Sequence, residues 1–131
     1  MSDGGEPAFL SLEQVMELHH RSLATHGGID GVRDRGAVES ALASAQNTWI
    51  YAGGDLFDIA AAYAFHIAES QAFLDGNKRT AVASAIAFLV ANDCIDHGED
   101  RAIYDAMIAI ANRRLDKAGL AAILRRQFPK T

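Results

Sequence analysis

Gln71-Ala72-Phe73-Leu74-Asp75-Gly76-Asn77-Lys78-Arg79-Thr80-Ala81 is the stretch of this chain whose residue types and spacing can do chemistry. A Phe, a carboxylate, a Gly-Asn turn and two adjacent cations lead straight into the apolar segment Val82 to Val90. The start of a helix leaves backbone N–H groups without partners, and its dipole favours negative charge. A Gly beside that end lets an anion approach the backbone closely. Lys78 and Arg79 add fixed positive charge, and Asp75 can hold a divalent cation that bridges phosphates. The pattern suits a nucleotide's phosphate chain. Plainer roles exist beside it. Asp75 before Gly is a common turn residue, and Asn77 can cap the helix by accepting from the N–H of Arg79 or Thr80. Lys78 and Arg79 fit less well as ordinary surface cations, because positive charge at a helix N-terminus opposes the dipole. Phe73 reads as a core anchor that holds the loop in place. Gln71 heads the run with a side chain that cannot titrate. The sequence has no Walker spacing and nothing that resembles a hydrolase triad.

The elements that must position this loop read as helices. Ser11 followed by Gln14 predicts a capping box for a first helix with Leu12, Val15, Met16, Leu18 and Leu23 inward, stopped by Gly27-Gly28. A second helix is expected over Ala37 to Gln46. Asn47 to Gly54, with Trp49, Ile50 and Tyr51, reads as a loop or short extended flap. Asp55 caps a third helix carrying Leu56, Ile59, Ala60, Tyr63, Ala64 and Ile67 on one stripe and ending near Ser70. The helix after the loop is apolar almost all round and is expected to be the buried central one. Asp93 to Asp100 reads as a turn, Arg101 to Asn112 as a fifth helix, and Asp116 to Gln127 as a capped sixth. Strand signals are confined to the surroundings of Trp49 and Cys94. The fold class predicted is all-α, a bundle of about six helices with a short flap before the third.

One domain over residues 9–131, preceded by a disordered tail over residues 1–8, is what 131 residues with 50% apolar content imply. The 12 Lys and Arg against 17 Asp and Glu give a net charge of −5, which disfavours general nucleic-acid binding. Residues 113 to 131 run against that balance, carrying about +5 while the remainder carries about −10. They form either a solvated helix end or a patch facing phosphate or a partner. The lone Cys94 excludes an internal disulfide and a cysteine-cluster metal site. No apolar run approaches the roughly 20 residues that cross a bilayer, and Met1 to Pro7 is polar and Gly-rich, so a cytoplasmic location is expected.

The run at 71 to 80 resembles the signature loop of the Fic/Doc family, His-x-Phe-x-Asp/Glu-Gly/Ala-Asn-x-Arg, with the Lys-Arg-Thr ending of its Doc (death-on-curing) branch. Phe73, Asp75, Gly76, Asn77, Lys78, Arg79 and Thr80 agree with that pattern, and Gln71 stands where the family has its catalytic His. Gly31-Val32-Arg33-Asp34-Arg35-Gly36-Ala37-Val38-Glu39-Ser40-Ala41-Leu42 is similar to a stretch common in Doc-like chains. So is Asp55-Leu56-Phe57 followed by Ala60-Ala61-Ala62-Tyr63. The resemblance spans residues 9 to 128.

What the resemblance implies is a toxin that moves a phosphoryl or nucleotidyl group from ATP or another nucleoside triphosphate, with Mg2+, to a hydroxyl of a host protein. Phosphorylation is favoured by the Asn-Lys-Arg form of the loop, and the target implied is a translation factor such as an elongation factor. Asp75 takes the magnesium, Asn77 shapes the anion loop, and Gly76, Lys78 and Arg79 face phosphate. None of the glutamates is followed by Gly or Asn, so the family's self-inhibitory motif is missing and a separate antitoxin is implied. An aromatic contact for that antitoxin is expected at Trp49 and Tyr51. A carboxamide at position 71 can orient a hydroxyl but cannot take its proton as an imidazole titrating near pH 6.5 can. Loss of a general base costs about 10²- to 10⁴-fold in rate. The alternative is therefore an impaired module that keeps only the nucleotide loop or the antitoxin groove. The weakest reading is a plain helical interaction protein. His66 is expected to be a packed structural residue, and His19, His20, His26 and His97 show no spacing that assigns them to the site. His19 and His20 cannot both point the same way.

Overall fold

The computed structural model describes residues 5–96, 98 and 100–129. The expected tail therefore lies partly outside the described residues (1–4), as does His97. Among the described residues six helices follow one another: α1 Leu12–His26, α2 Arg35–Ile50, α3 Leu56–Ser70, α4 Asn77–Ala91, α5 Arg101–Ala111 and α6 Lys117–Gln127. The architecture is all-α.

Local chemistry accounts for most of the helix ends. Ser11 Oγ accepts from Gln14 N at 3.1 Å while Gln14 Oε1 accepts from Ser11 N at 2.7 Å, the reciprocal capping box of α1. Gly27, at φ 77°, closes that helix by donating its N–H to Leu23 O at 2.8 Å. Asp55 and Asp58 form a second capping box at the start of α3. Arg125 of α6 holds Asp55 at 2.9 Å and Asp58 at 3.4 Å, which fastens α6 to that helix end. Burial opposes ionisation of Asp55, but the Asp58 backbone N–H and the Arg125 guanidinium outweigh it and hold its pKa below the ordinary carboxylate range.

Two expectations change. The second helix does not stop at Gln46 but continues through Trp49 to Ile50, so the segment read as an extended flap is mostly helical and only Tyr51 to Gly54 remains a connection. Tertiary packing drives this extension: Trp49 meets Phe9 edge-on at 6.1 Å, and Phe9 stacks on Phe88. Within the added turn, Thr48 Oγ1 donates back along the helix to Ser44 O at 3.0 Å. The central helix, moreover, is α3 rather than α4. It packs against α2, α4 and α6, and Ile59 through Ala64 are all buried. Alanines at 60, 61, 62 and 64 leave room for neighbours on every side, whereas one flank of α4 is partly open at Ala83, Ile86 and Val90.

The stretch before α1 is tied down. Ala8 and Asn92 exchange two hydrogen bonds, of 2.8 and 3.0 Å, and Leu10 N donates to the buried Tyr63 hydroxyl at 2.9 Å. Burial raises the Tyr63 phenol to about 12, against the opposing hydrogen bond from Leu10. Among the described residues no helix is long and apolar enough to cross a membrane.

Candidate phosphate site

Helix α3 ends at Gln71, whose backbone turns left-handed at φ 50° and ψ 36°. Its carboxamide Nε2 donates to Ala68 O at 3.0 Å, so the side chain caps the helix it terminates. His66, one turn and a half earlier, is engaged elsewhere. Lys117 Nζ donates to its Nε2 at 3.1 Å, and burial, then the Lys117 charge, push its pKa down against the opposing Glu69.

From Gln71 the chain crosses Ala72 and Phe73, both buried, and pairs with the segment between α1 and α2. Arg33 N and Asp34 N donate to Ala72 O, Leu74 N donates to Gly31 O, and Val32 and Phe73 form an antiparallel bridge. Phe73 is fully buried, as a core anchor should be. Gly31 is required here. Its φ is 142°, and an added Cβ would lie 2.6 Å from Leu74 Cδ1.

Asn77 does not cap α4. Its Oδ1 accepts from Phe73 N at 3.0 Å and its Nδ2 donates to Phe73 O at 2.9 Å, so the carboxamide acts as a strand-like partner for one residue of the loop. The cap position belongs to Gly76, left-handed at φ 79°, which offers no side chain to the first N–H groups of α4. The first N–H groups of α4 therefore have no side-chain cap, and the residue at the cap position is Gly76 rather than Asn77. Asp75 is half-buried, and its two oxygens accept from Gly76 N at 2.9 Å and Ile29 N at 3.2 Å. A carboxylate has about four lone-pair sites, so both oxygens keep capacity for a cation.

Lys78 is exposed on the first turn of α4. Arg79 folds back instead: Nε donates to Ser22 Oγ at 2.9 Å and Nη2 to Gly27 O at 3.1 Å. Two of its five donors are thus held by the end of α1. Sequence reasoning missed this α1 contribution. His19, which it did not assign to the site, is buried beneath the loop; its Nε2 is 2.8 Å from Asp75 O, and its ring stacks on Phe73 with centroids 3.9 Å apart. A signal was available, because His19 lies four residues after Val15 on the inward stripe of α1, and a buried imidazole needs a partner. His20 faces solvent, as the helical geometry requires.

Gln71, Phe73, Asp75, Gly76, Asn77, Lys78 and Arg79 therefore share one loop and helix start. Trp49 and Tyr51 belong to the α2–α3 corner, where Trp49 is half-buried and Tyr51 is 82% exposed. The donor set suits magnesium. Among the described residues no group of three or more His, Cys, Asp or Glu could hold a metal alone. A cation at Asp75 must complete its shell from phosphates and water, as magnesium commonly does.

Comparison with known proteins identifies similar sequences. The sequence model of the Fic/DOC family matches residues 9–89. The chain is 30% identical over 120 residues to "Protein kinase doc" of Escherichia phage P1, covering 91% of this chain and 94% of that protein. It is 41% identical over 103 residues to "Toxin Doc" of Mycolicibacterium smegmatis, covering 75% of this chain and 78% of that one.

Proposed function

The chain belongs to the Fic/DOC family, and on that premise we propose that it is a Doc-like toxin, transferring a phosphoryl group from a nucleoside triphosphate to a hydroxyl of a host protein. The observation that carries this reading is the uncapped N-terminus of α4 at Gly76, flanked by the Asp75 carboxylate and by Lys78 and Arg79. Bound with the nucleotide, magnesium supplies charge neutralisation on the phosphates. Asp75 holds that ion, the first N–H groups of α4 and the Lys78 and Arg79 cations orient the phosphate chain, and Asn77 keeps the loop in shape. Phosphoryl transfer depends mostly on such positioning and charge. Gln71 orients the incoming hydroxyl through its Oε1 without taking its proton, which passes to water as the nucleoside diphosphate leaves, so transfer is slow. The target class is a translation factor, and activity is restrained by a separate antitoxin that contacts the corner at Trp49 and Tyr51. The relative named as a protein kinase supports phosphorylation over nucleotidylation.

A second reading has its own support. The Gln71 carboxamide is committed to the C-terminus of α3 through Ala68 O, which fits a residue kept for structure in a module that binds nucleotide or antitoxin without catalysis. Calorimetry with ATP tests the site common to both. Binding is tighter with magnesium than without, and Arg79→Ala weakens it by about 1–3 kcal/mol through loss of a charge-assisted hydrogen bond. Equal affinity in the wild type and a Lys78→Ala/Arg79→Ala double variant rejects the site.

A further inference from the structure

The Asp75–Gly76 peptide is the hinge on which the proposed phosphate site turns, and both of its ends are fixed. Its N–H is held by the Asp75 carboxylate at 2.9 Å. Its C=O meets His19 Nε2 at 2.8 Å. A carbonyl only accepts, so this contact requires the proton on His19 Nε2 and thereby sets the imidazole tautomer. The ring is 3% exposed and lies nearly parallel to Phe73, with 14° between the planes. Two different parts of His19 therefore touch two different parts of the loop, the face on Phe73 and the donor on Asp75. Gly76 sits directly over the ring edge, where an added Cβ would lie 3.6 Å from His19 Cδ2.

We propose that His19 is a positioning residue for the phosphate site: its Nε2–H fixes the Asp75–Gly76 peptide, and so the directions of the Asp75 carboxylate and of the first N–H groups of α4. The proposal rests on the nucleotide reading above. Burial alone is served by any flat apolar ring, but the donor is specific. His19 does not touch the nucleotide; it acts through the loop it holds.

Two variants of the full chain separate the roles. His19→Phe keeps the ring over Phe73 and removes the donor. His19→Gln places an amide N–H near the Nε2 position and gives up the stack. Affinity for each of the four ribonucleoside triphosphates with magnesium is measured by calorimetry, alongside thermal unfolding. With a positioning donor, His19→Phe binds the preferred nucleotide roughly three- to tenfold more weakly, the range expected for one lost hydrogen bond. His19→Gln recovers affinity even where its melting temperature falls. A purely structural His19 gives the reverse ordering, with affinity following stability. Equal affinity of His19→Phe and wild type overturns the proposal while leaving the nucleotide site intact. Absence of nucleotide binding in the wild type overturns both together. An independent measurement needs no variant: ¹⁵N histidine spectra of the wild type must show the Nε2–H tautomer for His19, and an Nδ1–H tautomer removes the donor and the proposal with it.

Discussion

Replacing Gln71 by His puts a titratable base at the head of the loop, and its cost and gain follow from the geometry at that residue. The backbone there is left-handed, at φ 50° and ψ 36°. His is among the non-glycine residues that tolerate this region, so the substitution adds little backbone strain. What is lost is the exposed hydrogen bond from Nε2 to Ala68 O. An exposed bond of this kind sits near the lower end of about 0.5–1.5 kcal/mol. The melting temperature should accordingly fall by about 1–3 °C for a domain of this size. The kinetic gain is of another order. A positioned general base contributes about 10²- to 10⁴-fold, which is about 2.7–5.4 kcal/mol at 1.36 kcal/mol per decade. The assay is transfer of label from γ-³²P ATP to lysate proteins, with α-³²P ATP in parallel to detect nucleotidylation, across roughly pH 5 to 8. Gln71→His should raise γ-label transfer and introduce a dependence on an imidazole pKa near 6.5. A folded Gln71→His protein with flat or reduced transfer refutes the idea of a site lacking only its base. Absence of label with both proteins, in a lysate that supports an active family member, favours the binding module.

Asn77→Ala removes both hydrogen bonds to Phe73 and recovers up to ~0.7 kcal/mol of helix propensity, so urea unfolding should show a net loss of about 1–2 kcal/mol. Nucleotide affinity should fall with it, and a change below about 0.5 kcal/mol would show that the loop does not depend on this clamp. Tyr63→Phe leaves the buried Leu10 N–H without its acceptor and should cost about 1–3 kcal/mol near neutral pH. Because the folded-state pKa of Tyr63, about 12, lies above its ordinary 10.0, the fold favours the neutral phenol. That contribution is intact below pH 10 and is lost as pH rises through about 12, so the alkaline destabilisation seen in the wild type should be smaller in Tyr63→Phe. Co-expression with the product of an adjacent short reading frame should yield a complex that shifts the fluorescence of Trp49; failure of every neighbouring product to co-purify counts against the toxin–antitoxin reading.

The sequence alone determined the helical fold and the identity of the loop, because both are written in local chemistry. Capping residues at Ser11, Asp55 and Asp116, the stop at Gly27, and the 3.6-residue stripes act over a few neighbouring positions. Gly76 beside two cations at a helix start is likewise a local signal. Tertiary structure decided whatever depends on partners distant in the chain. It carried α2 through Trp49, because Phe9, itself stacked on Phe88, supplies a surface for that indole. It put α3 rather than α4 at the centre, since apolar content says how much of a helix is buried but not which neighbours enclose it. It also turned Asn77 from a cap into a clamp on Phe73. The end of α1 entered the site through His19 and Ser22, which hydrogen-bond residues 56 and 57 positions away in the chain. Spacing along one segment cannot encode such contacts; they arise where two helices and a loop converge on the same buried ring.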